Sequence, residues 1–194
     1  MSDFQLFFSL GREHILDVNG YDHVLFVIAL SAVFMASDWK KVLVLVTAFT
    51  IGHSVTLALV ALDVFSVNAS LIEFLIPVTI FITAACNIWR REQYLSEEMS
   101  KLNYYLALFF GLIHGMGFSN YLKGLLGKET SILQELFAFN LGLELGQIII
   151  VVAFMGIGYL TDKYLSVSRK DWILAISSAV AGVAITLMID TKFW

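Results

Sequence analysis

The chain has 194 residues, of which 59% are hydrophobic and 14% are charged, and its mean hydropathy of +0.82 excludes an ordinary soluble globular protein. Its net charge of -4 comes from scattered acidic residues, which argues against a nucleic-acid partner. The single cysteine, Cys86, excludes an intrachain disulfide and a thiolate metal cluster. The composition therefore predicts an all-α polytopic membrane protein, a single transmembrane bundle over residues 1–194 in contact with membrane lipids.

The N-terminal segment from Phe4 to Val18 is too polar to cross a bilayer and too apolar to be a free tail. We expect it to form an interfacial or partly re-entrant helix, which ends at Gly20. Apolar stretches then predict six spans, near residues 21–36, 42–62, 71–89, 102–122, 132–160 and 172–189. The first is short for a hydrocarbon core of about 30 Å, and the fifth is longer than such a core requires.

The predicted loops differ in positive charge. Those after the first, third and fifth spans hold most of the basic residues, namely Lys40, Lys41, Arg90, Arg91, Lys101, Lys163, Arg169 and Lys170. The positive-inside rule then places both termini on the non-cytoplasmic side. No clear internal repeat is visible in the sequence.

A polar stripe lies within the fifth predicted span. Asn140, Glu144 and Gln147 are spaced i, i+4, i+7, so they share one face of a helix. A carboxylate in so apolar a segment must be paired, protonated or bound to a cation, because an isolated charge in hydrocarbon costs several kcal/mol. The stripe therefore predicts a polar partner on a neighbouring span.

The four histidines lie at depths where such a partner is expected. His53 and His114 are near the middle of the second and fourth spans, and His23, beside Asp22, opens the first span. His14 precedes that span on the same side. Imidazole and carboxylate ligands suit nickel, cobalt and zinc, so the pattern predicts a divalent-metal site. The predicted ligands are His14, Asp22, His23, His53, His114 and Glu144, with Asn140, Gln147 and Ser54 in support.

The same residues have a structural interpretation. Intramembrane histidine, asparagine and glutamine also join helices through hydrogen bonds worth about 0.6–2 kcal/mol each, and a buried glutamate can be protonated. Three histidines and a glutamate at similar depth favour a metal or catalytic site over this interpretation. Glu73, at the outer end of the third span, is interpreted as a structural residue near the interface, although Pro77 frees its backbone carbonyl.

Four blocks in order along the chain carry a resemblance to a known family, and they are His14–Phe26, Phe49–Leu57, Gly111–Phe118 and Phe139–Gln147. On these residues the chain resembles the HupE/UreJ family of small bacterial membrane proteins. The resemblance implies an inner-membrane protein linked to nickel or cobalt uptake, with metalloenzyme maturation proteins as candidate partners. The family's His-Asp-His motif falls on His14, Asp22 and His23.

The chain departs from the nickel-permease branch of that family in two places. Seven residues separate His14 from the Asp22-His23 pair, which is a wider spacing than in that branch. His114 also stands alone where the second motif of the branch has two histidines. The match is closer to the broader branch of the family.

Two functions follow from these predictions. The first is a permease that captures nickel or cobalt on the outer side through His14, Asp22 and His23, and then passes the ion to the deeper residues His53, His114 and Glu144. Few polar residues beyond Thr83 and Asn87 continue this path inward. The second is an intramembrane zinc hydrolase acting on a lipid or peptide at the outer face, with Glu144 or Asp22 as general base. A third hypothesis is an accessory subunit whose polar core only holds the helices together.

Overall fold

A computed structural model describes residues 2–18, 20–92, 97–125 and 132–194 of the chain. These residues form seven α-helices and no strand, which confirms the all-α prediction for the described ranges. The helices are α1 (Asp3–Leu16), α2 (Asp22–Ser31), α3 (Trp39–Ala61), α4 (Ala69–Arg90), α5 (Glu97–Leu125), α6 (Ile132–Leu165) and α7 (Arg169–Asp190). A short 3₁₀ turn, Ala36–Asp38, precedes α3.

Four helical segments in the described part of the chain are long and apolar enough to cross a bilayer, namely Ala36–Ala61, Ala69–Arg90, Ile132–Leu165 and Arg169–Asp190. They coincide with the predicted second, third, fifth and sixth spans, and the predicted fourth span lies within α5. The predicted first span is not a long helix, because α2 has only 10 residues and is about 15 Å long. The six-span arrangement is therefore not confirmed.

Local sequence signals account for several helix ends. Ser2 forms a capping box with Gln5 at the start of α1, which satisfies two backbone N–H groups that lack helical partners. Asn68 accepts a hydrogen bond of 3.2 Å from the backbone N–H of Leu71 and caps α4. Asp63 takes the left-handed conformation, with φ of 58°, in the turn after α3.

Helices α3 and α5 approach each other closely through glycines. Gly52 lies against the backbone of 108–112, and Gly111 lies against the backbone of 49–53. A Cβ atom at either glycine would overlap a carbonyl oxygen of the facing helix, so only glycine permits this separation. The crossing fixes the relative depth of His53 and His114, which follow Gly52 and Gly111 by one and three positions.

Helices α1 and α6 pair through the same kind of contact. Gly11 lies against the backbone of 139–143, and Gly142 lies against the backbone of 8–12. Gly146, one turn further along α6, packs against Ile15, so the contacts advance in the same direction on both helices. The two helices therefore run parallel at this crossing.

Helix α2 follows α1 along the same partner. It also packs against α6, and the residues just after it, Phe34 and Met35, line a small cavity with Phe154 and Met155 of α6. Helix α1 thus lies along the first half of α6, and the segment after α2 reaches the second half. Helix α1 ends at Leu16 and α2 begins at Asp22, beside the histidines.

The two glycine crossings are internal repeats of each other. Gly11 and Gly111 each lie against a Phe-x-x-Gly segment, 139–142 in α6 and 49–52 in α3, and each precedes a histidine by three positions. The following helices, α4 and α7, pack on each other. Helices α1, α3 and α4 therefore correspond to α5, α6 and α7, with α2 inserted, and His14 and His114 occupy equivalent positions.

We predict that Gly111→Ala destabilises the protein by about 1–3 kcal/mol, because the added methyl group overlaps the carbonyl oxygen of Phe49. Thermal unfolding of the detergent-solubilised protein measures the effect as a lower Tm. Gly182→Ala in α7 is the matched control, since no atom lies within 4 Å of a Cβ built there. Equal melting temperatures for the two variants would contradict the close crossing.

Candidate metal centre

Four histidines from four helices meet in the interior of the bundle. They are His14 of α1, His23 of α2, His53 of α3 and His114 of α5. His53 and His114 have no exposed surface, and His23 is 6% exposed. The ring centroids lie 4.5 Å apart for His14 and His23, and 5.2 Å apart for His23 and His114. One side-chain nitrogen each of His14, His23 and His53 lies within 4.8 Å of the other two.

Asp22 determines which nitrogen of His23 can bind an ion. Its Oδ1 lies 3.1 Å from His23 Nδ1, and an ionised carboxylate can only accept a hydrogen bond. The ring proton is therefore on Nδ1, and the lone pair is on Nε2. This Nε2 is buried and has no hydrogen-bond partner. A carboxylate that orients a ligating imidazole in this way is a common feature of metal sites.

Thr79 of α4 orients the ring of His114, as Asp22 orients that of His23. Its hydroxyl donates its only proton to the carbonyl of Ile76 at 2.7 Å, and its oxygen also lies 3.1 Å from His114 Nε2. With the hydroxyl proton on the Ile76 carbonyl, Thr79 can bond to His114 only as an acceptor, which requires the ring proton on Nε2. The lone pair of His114 is then on Nδ1, which is buried without a partner.

The free ring nitrogens fit a divalent transition metal. Buried nitrogens without a partner are His14 Nε2, His23 Nε2, both nitrogens of His53 and His114 Nδ1. Each such atom costs about 1–3 kcal/mol when it stays unsatisfied, so the cluster favours an ion that accepts several lone pairs. Around an ion with bonds of about 2.1 Å the nitrogens would be about 3.4 Å apart, closer than the limit of 4.8 Å within which those of His14, His23 and His53 lie here.

A layer of phenylalanines closes one side of the histidine cluster. Phe26, Phe49 and Phe110 lie one helical turn from His23, His53 and His114, toward the ends of α3 and α4 that carry Lys40 and Arg90. The Phe26 and Phe49 rings are 4.9 Å apart, and both side chains are fully buried. This phenylalanine layer excludes water from that side of the cluster.

The opposite side of the cluster is open. His14, His23 and His114 line a cavity of about 400 Å³ together with Phe118 and Tyr121, and this space is called the open cavity below. The cavity reaches the surface near the break between α1 and α2, since Asp17 and Gly20 also line it. The site is thus accessible from one end of the bundle.

The polar stripe of α6 finds its partner on α3. Thr47 donates a hydrogen bond of 2.6 Å to Glu144 Oε1, and Thr50 donates one of 2.8 Å to Gln147 Oε1. Ser54 donates to the carbonyl of Thr50. Asn140, the first residue of the polar stripe, has a buried Oδ1 with no hydrogen-bond partner among the described residues. Direct metal binding by Glu144 stays a prediction, as does support of the site by Asn140, Gln147 and Ser54.

Sequence reasoning missed two residues at the site, Thr79 and Thr47. Thr79 bonds to His114, and it begins a buried stripe with Thr83 and Asn87 at i, i+4, i+8 along α4. Thr47 joins Glu144 across the α3–α6 contact. In both cases the signal was helical spacing, because polar residues four apart on an apolar helix indicate a face that meets something polar.

The fold and the site together define an all-helical membrane protein with a buried histidine cluster suited to a transition metal. A family model described as HupE / UreJ protein matches residues 1–191. The chain therefore belongs to the HupE/UreJ family, which is associated with nickel and cobalt transport. Comparison with curated proteins and with solved structures finds no match.

We predict that Asp22→Asn lowers the affinity of the site for cobalt about 10- to 100-fold, because the carboxylate no longer holds His23 in the tautomer with a free Nε2. Titration of the purified protein with cobalt, followed by visible absorption, measures the change. Asp190→Asn, an exposed carboxylate at the end of α7, is the control for loss of one charge. An unchanged affinity in Asp22→Asn would show that Asp22 does not orient His23.

Proposed function

We propose that the chain is a permease for a divalent transition metal, with nickel and cobalt as the first candidate substrates. The observation that carries this proposal is the convergence of buried, unpartnered imidazole nitrogens from His14, His23 and His53. His114 supplies a further nitrogen, and Asp22 orients His23. Family membership supports the same assignment.

The orientation in the membrane follows from charge. The basic residues Lys40, Lys41, Arg90 and Arg91 lie at the end of the bundle beyond the phenylalanine layer. The positive-inside rule places that end in the cytoplasm. In this proposal the open cavity and both termini face the non-cytoplasmic side of a bacterial inner membrane, and the substrate ion reaches the histidines from outside.

Helices α1 and α2 together serve as the first span in this proposal. Their 14 and 10 residues correspond to about 21 Å and about 15 Å, enough in sum for a hydrocarbon core of about 30 Å. Both pack along α6, which supports one continuous path with a break at residues 17–21. Non-helical backbone is tolerated at such depth where it lines a water-filled cavity, as it does beside the open cavity.

The inward route follows the buried polar stripe of α4. Thr79, Thr83 and Asn87 lead from His114 toward the cytoplasmic end, past the phenylalanine layer, and Asn87 donates to the carbonyl of Ala29 in α2 at 2.7 Å. Hydroxyl and carbonyl oxygens on this face supply weak successive contacts for a cation. Passage requires α2 or the phenylalanine layer to move, since the layer is closed in this conformation.

A zinc hydrolase is the second candidate, and one observation favours it. The histidine cluster is open on one side only, as expected of a catalytic pocket that holds zinc and an activated water. In that case Asp22, which lines the open cavity, is better placed as general base than Glu144, which is not among the described residues that line it.

We predict that the purified wild-type protein binds about one equivalent of nickel or cobalt, and that His53→Ala abolishes binding. Elemental analysis after reloading and desalting measures the stoichiometry. Ser178→Ala, at an exposed position of α7, is a control for handling of the protein. Nickel uptake by proteoliposomes then separates the two functions.

Time-dependent accumulation of nickel in the vesicles, lost in His53→Ala, is the result expected of a permease. Bound zinc with no accumulation of any of the three metals would reject transport and favour the hydrolase. A folded wild type that binds no metal would reject both functions and leave the cluster as a helix contact.

A further inference from the structure

The wall of the open cavity carries a set of charges that the histidine site does not explain. Besides the three histidines, it contains the carboxylates of Asp17, Asp22 and Glu73. No lysine or arginine is among the described residues that line it. Three negative side chains therefore face a space of about 400 Å³, and one described basic side chain, Arg12, lines the adjoining cavity.

The break between α1 and α2 brings two of these carboxylates together. A Cβ atom built on Gly20 would lie 3.6 Å from Asp17 Oδ2 and 3.8 Å from Asp22 Oδ1, so both carboxylates flank the same residue. Two carboxylates on either side of one glycine raise the local negative potential, which favours a cation nearby. The break thus concentrates negative charge at the mouth of the cavity.

Glu73 completes the set from another helix. It lies in the second turn of α4, is exposed, and borders the same cavity as Ile76. Pro77 has no N–H, so the backbone carbonyl of Glu73 cannot receive the usual helical hydrogen bond. Glu73 therefore brings a carboxylate to the cavity wall and, in addition, a carbonyl oxygen with lone pairs left over from the helix.

The histidines in the cavity wall also favour a positively charged ligand. His23 and His114 line it, both are more than nine-tenths buried, and each has a ring nitrogen without a partner. Carboxylates at the mouth and imidazole lone pairs at the base all attract positive charge. The three carboxylates would repel an anionic lipid headgroup.

The volume of the cavity fits a hydrated ion. Six waters at about 30 Å³ each occupy roughly 180 Å³, well below the space of about 400 Å³. Hard oxygen ligands at the mouth suit an ion that still carries its water shell, whereas imidazole binds the ion after water is lost. An incoming ion would therefore meet the carboxylates while it is hydrated, and the imidazoles after it has lost water.

We propose that Asp17 and Glu73, together with Asp22, form a capture site that attracts hydrated divalent cations and delivers them to the histidines. This inference rests on the proposed function, since it requires a cation as substrate. The carboxylates act on the rate of arrival: field lines focused by the low-dielectric walls raise the local cation concentration. The histidines determine the rate at which the bound ion dissociates.

The test is the rate of cobalt binding to the full chain in nanodiscs, followed by stopped-flow absorption at low and high salt. Focusing in a charged cleft accelerates association by about 10- to 1,000-fold, so removal of one of three carboxylates lowers the rate about two- to tenfold. We expect Glu73→Gln to show this loss at low salt, with an unchanged dissociation rate. The difference should shrink at high salt, because counterions screen the carboxylates.

Asp63→Asn is the matched control, because Asp63 lies in the turn after α3, outside the cavity wall, and asparagine tolerates its left-handed backbone. Asp17→Asn is a second test variant from the opposite wall. Wild-type association in both Glu73→Gln and Asp17→Asn, or an equal loss in Asp63→Asn, would overturn the capture site. A faster dissociation with unchanged association would make Glu73 a ligand of the bound ion and would also overturn it.

The outcome is separable from that of the proposed function. If the wild type binds no cobalt, the permease proposal fails. If the wild type binds about one equivalent, but the variants associate at the wild-type rate, the metal site stands and only the capture site fails.

Discussion

The close approach of helix backbones at glycines is the constraint on which the rest of the structure depends. Gly52 and Gly111 allow α3 and α5 to touch, and Gly11 and Gly142 do the same for α1 and α6. In lipid, where water gives helices little reason to associate, such backbone contact is a main source of attraction. The crossings set the depth of His14, His53 and His114, so the histidine cluster follows from the positions of a few small residues.

Around that cluster the protein builds two unlike environments. On one side Phe26 and Phe49 stack in a dry layer, and on the other Asp17 and Glu73 border a wet cavity. A charge is far more costly in the first environment than in the second. The histidine cluster therefore lies at the boundary between an apolar layer and a polar cavity.

The sequence predicted the all-helical fold class, because that class depends on hydropathy alone. The depth of the histidines in the bilayer stays a prediction from their positions along each span. The sequence did not predict that α1 and α2 both pack against α6. The Phe4–Val18 segment is too polar for a span by itself, and its packing along α6 depends on Gly11 and Gly142, whose effect appears only when the partner helix is known. Helical spacing and depth placed Glu144 on a polar face of its span, but neither says which neighbouring helix that face meets, which is α3 through Thr47.

The internal repeat escaped notice for a related reason. The two halves share a glycine three positions before a histidine and a Phe-x-x-Gly segment. These motifs are too short to stand out among many apolar residues. The inserted α2 also changes the spacing between the repeated elements in the two halves. Thr79 was missed because a threonine in an apolar helix usually bonds to its own backbone, and here it does so while it also holds His114.

The repeat has a consequence for the symmetry of the site. Helices α1, α3 and α4 on one hand and α5, α6 and α7 on the other have the arrangement of a homodimer fused into one chain, with each copy lending its first helix to the other. An equal pair would hold an ion on the axis between the copies. Here the counterpart of His53 is Leu143, and His23 and Asp22 come from α2, which only one copy has. The first half and the inserted α2 thus supply three of the four histidines, and the second half supplies the fourth, so the cluster is not symmetric about the axis between the halves.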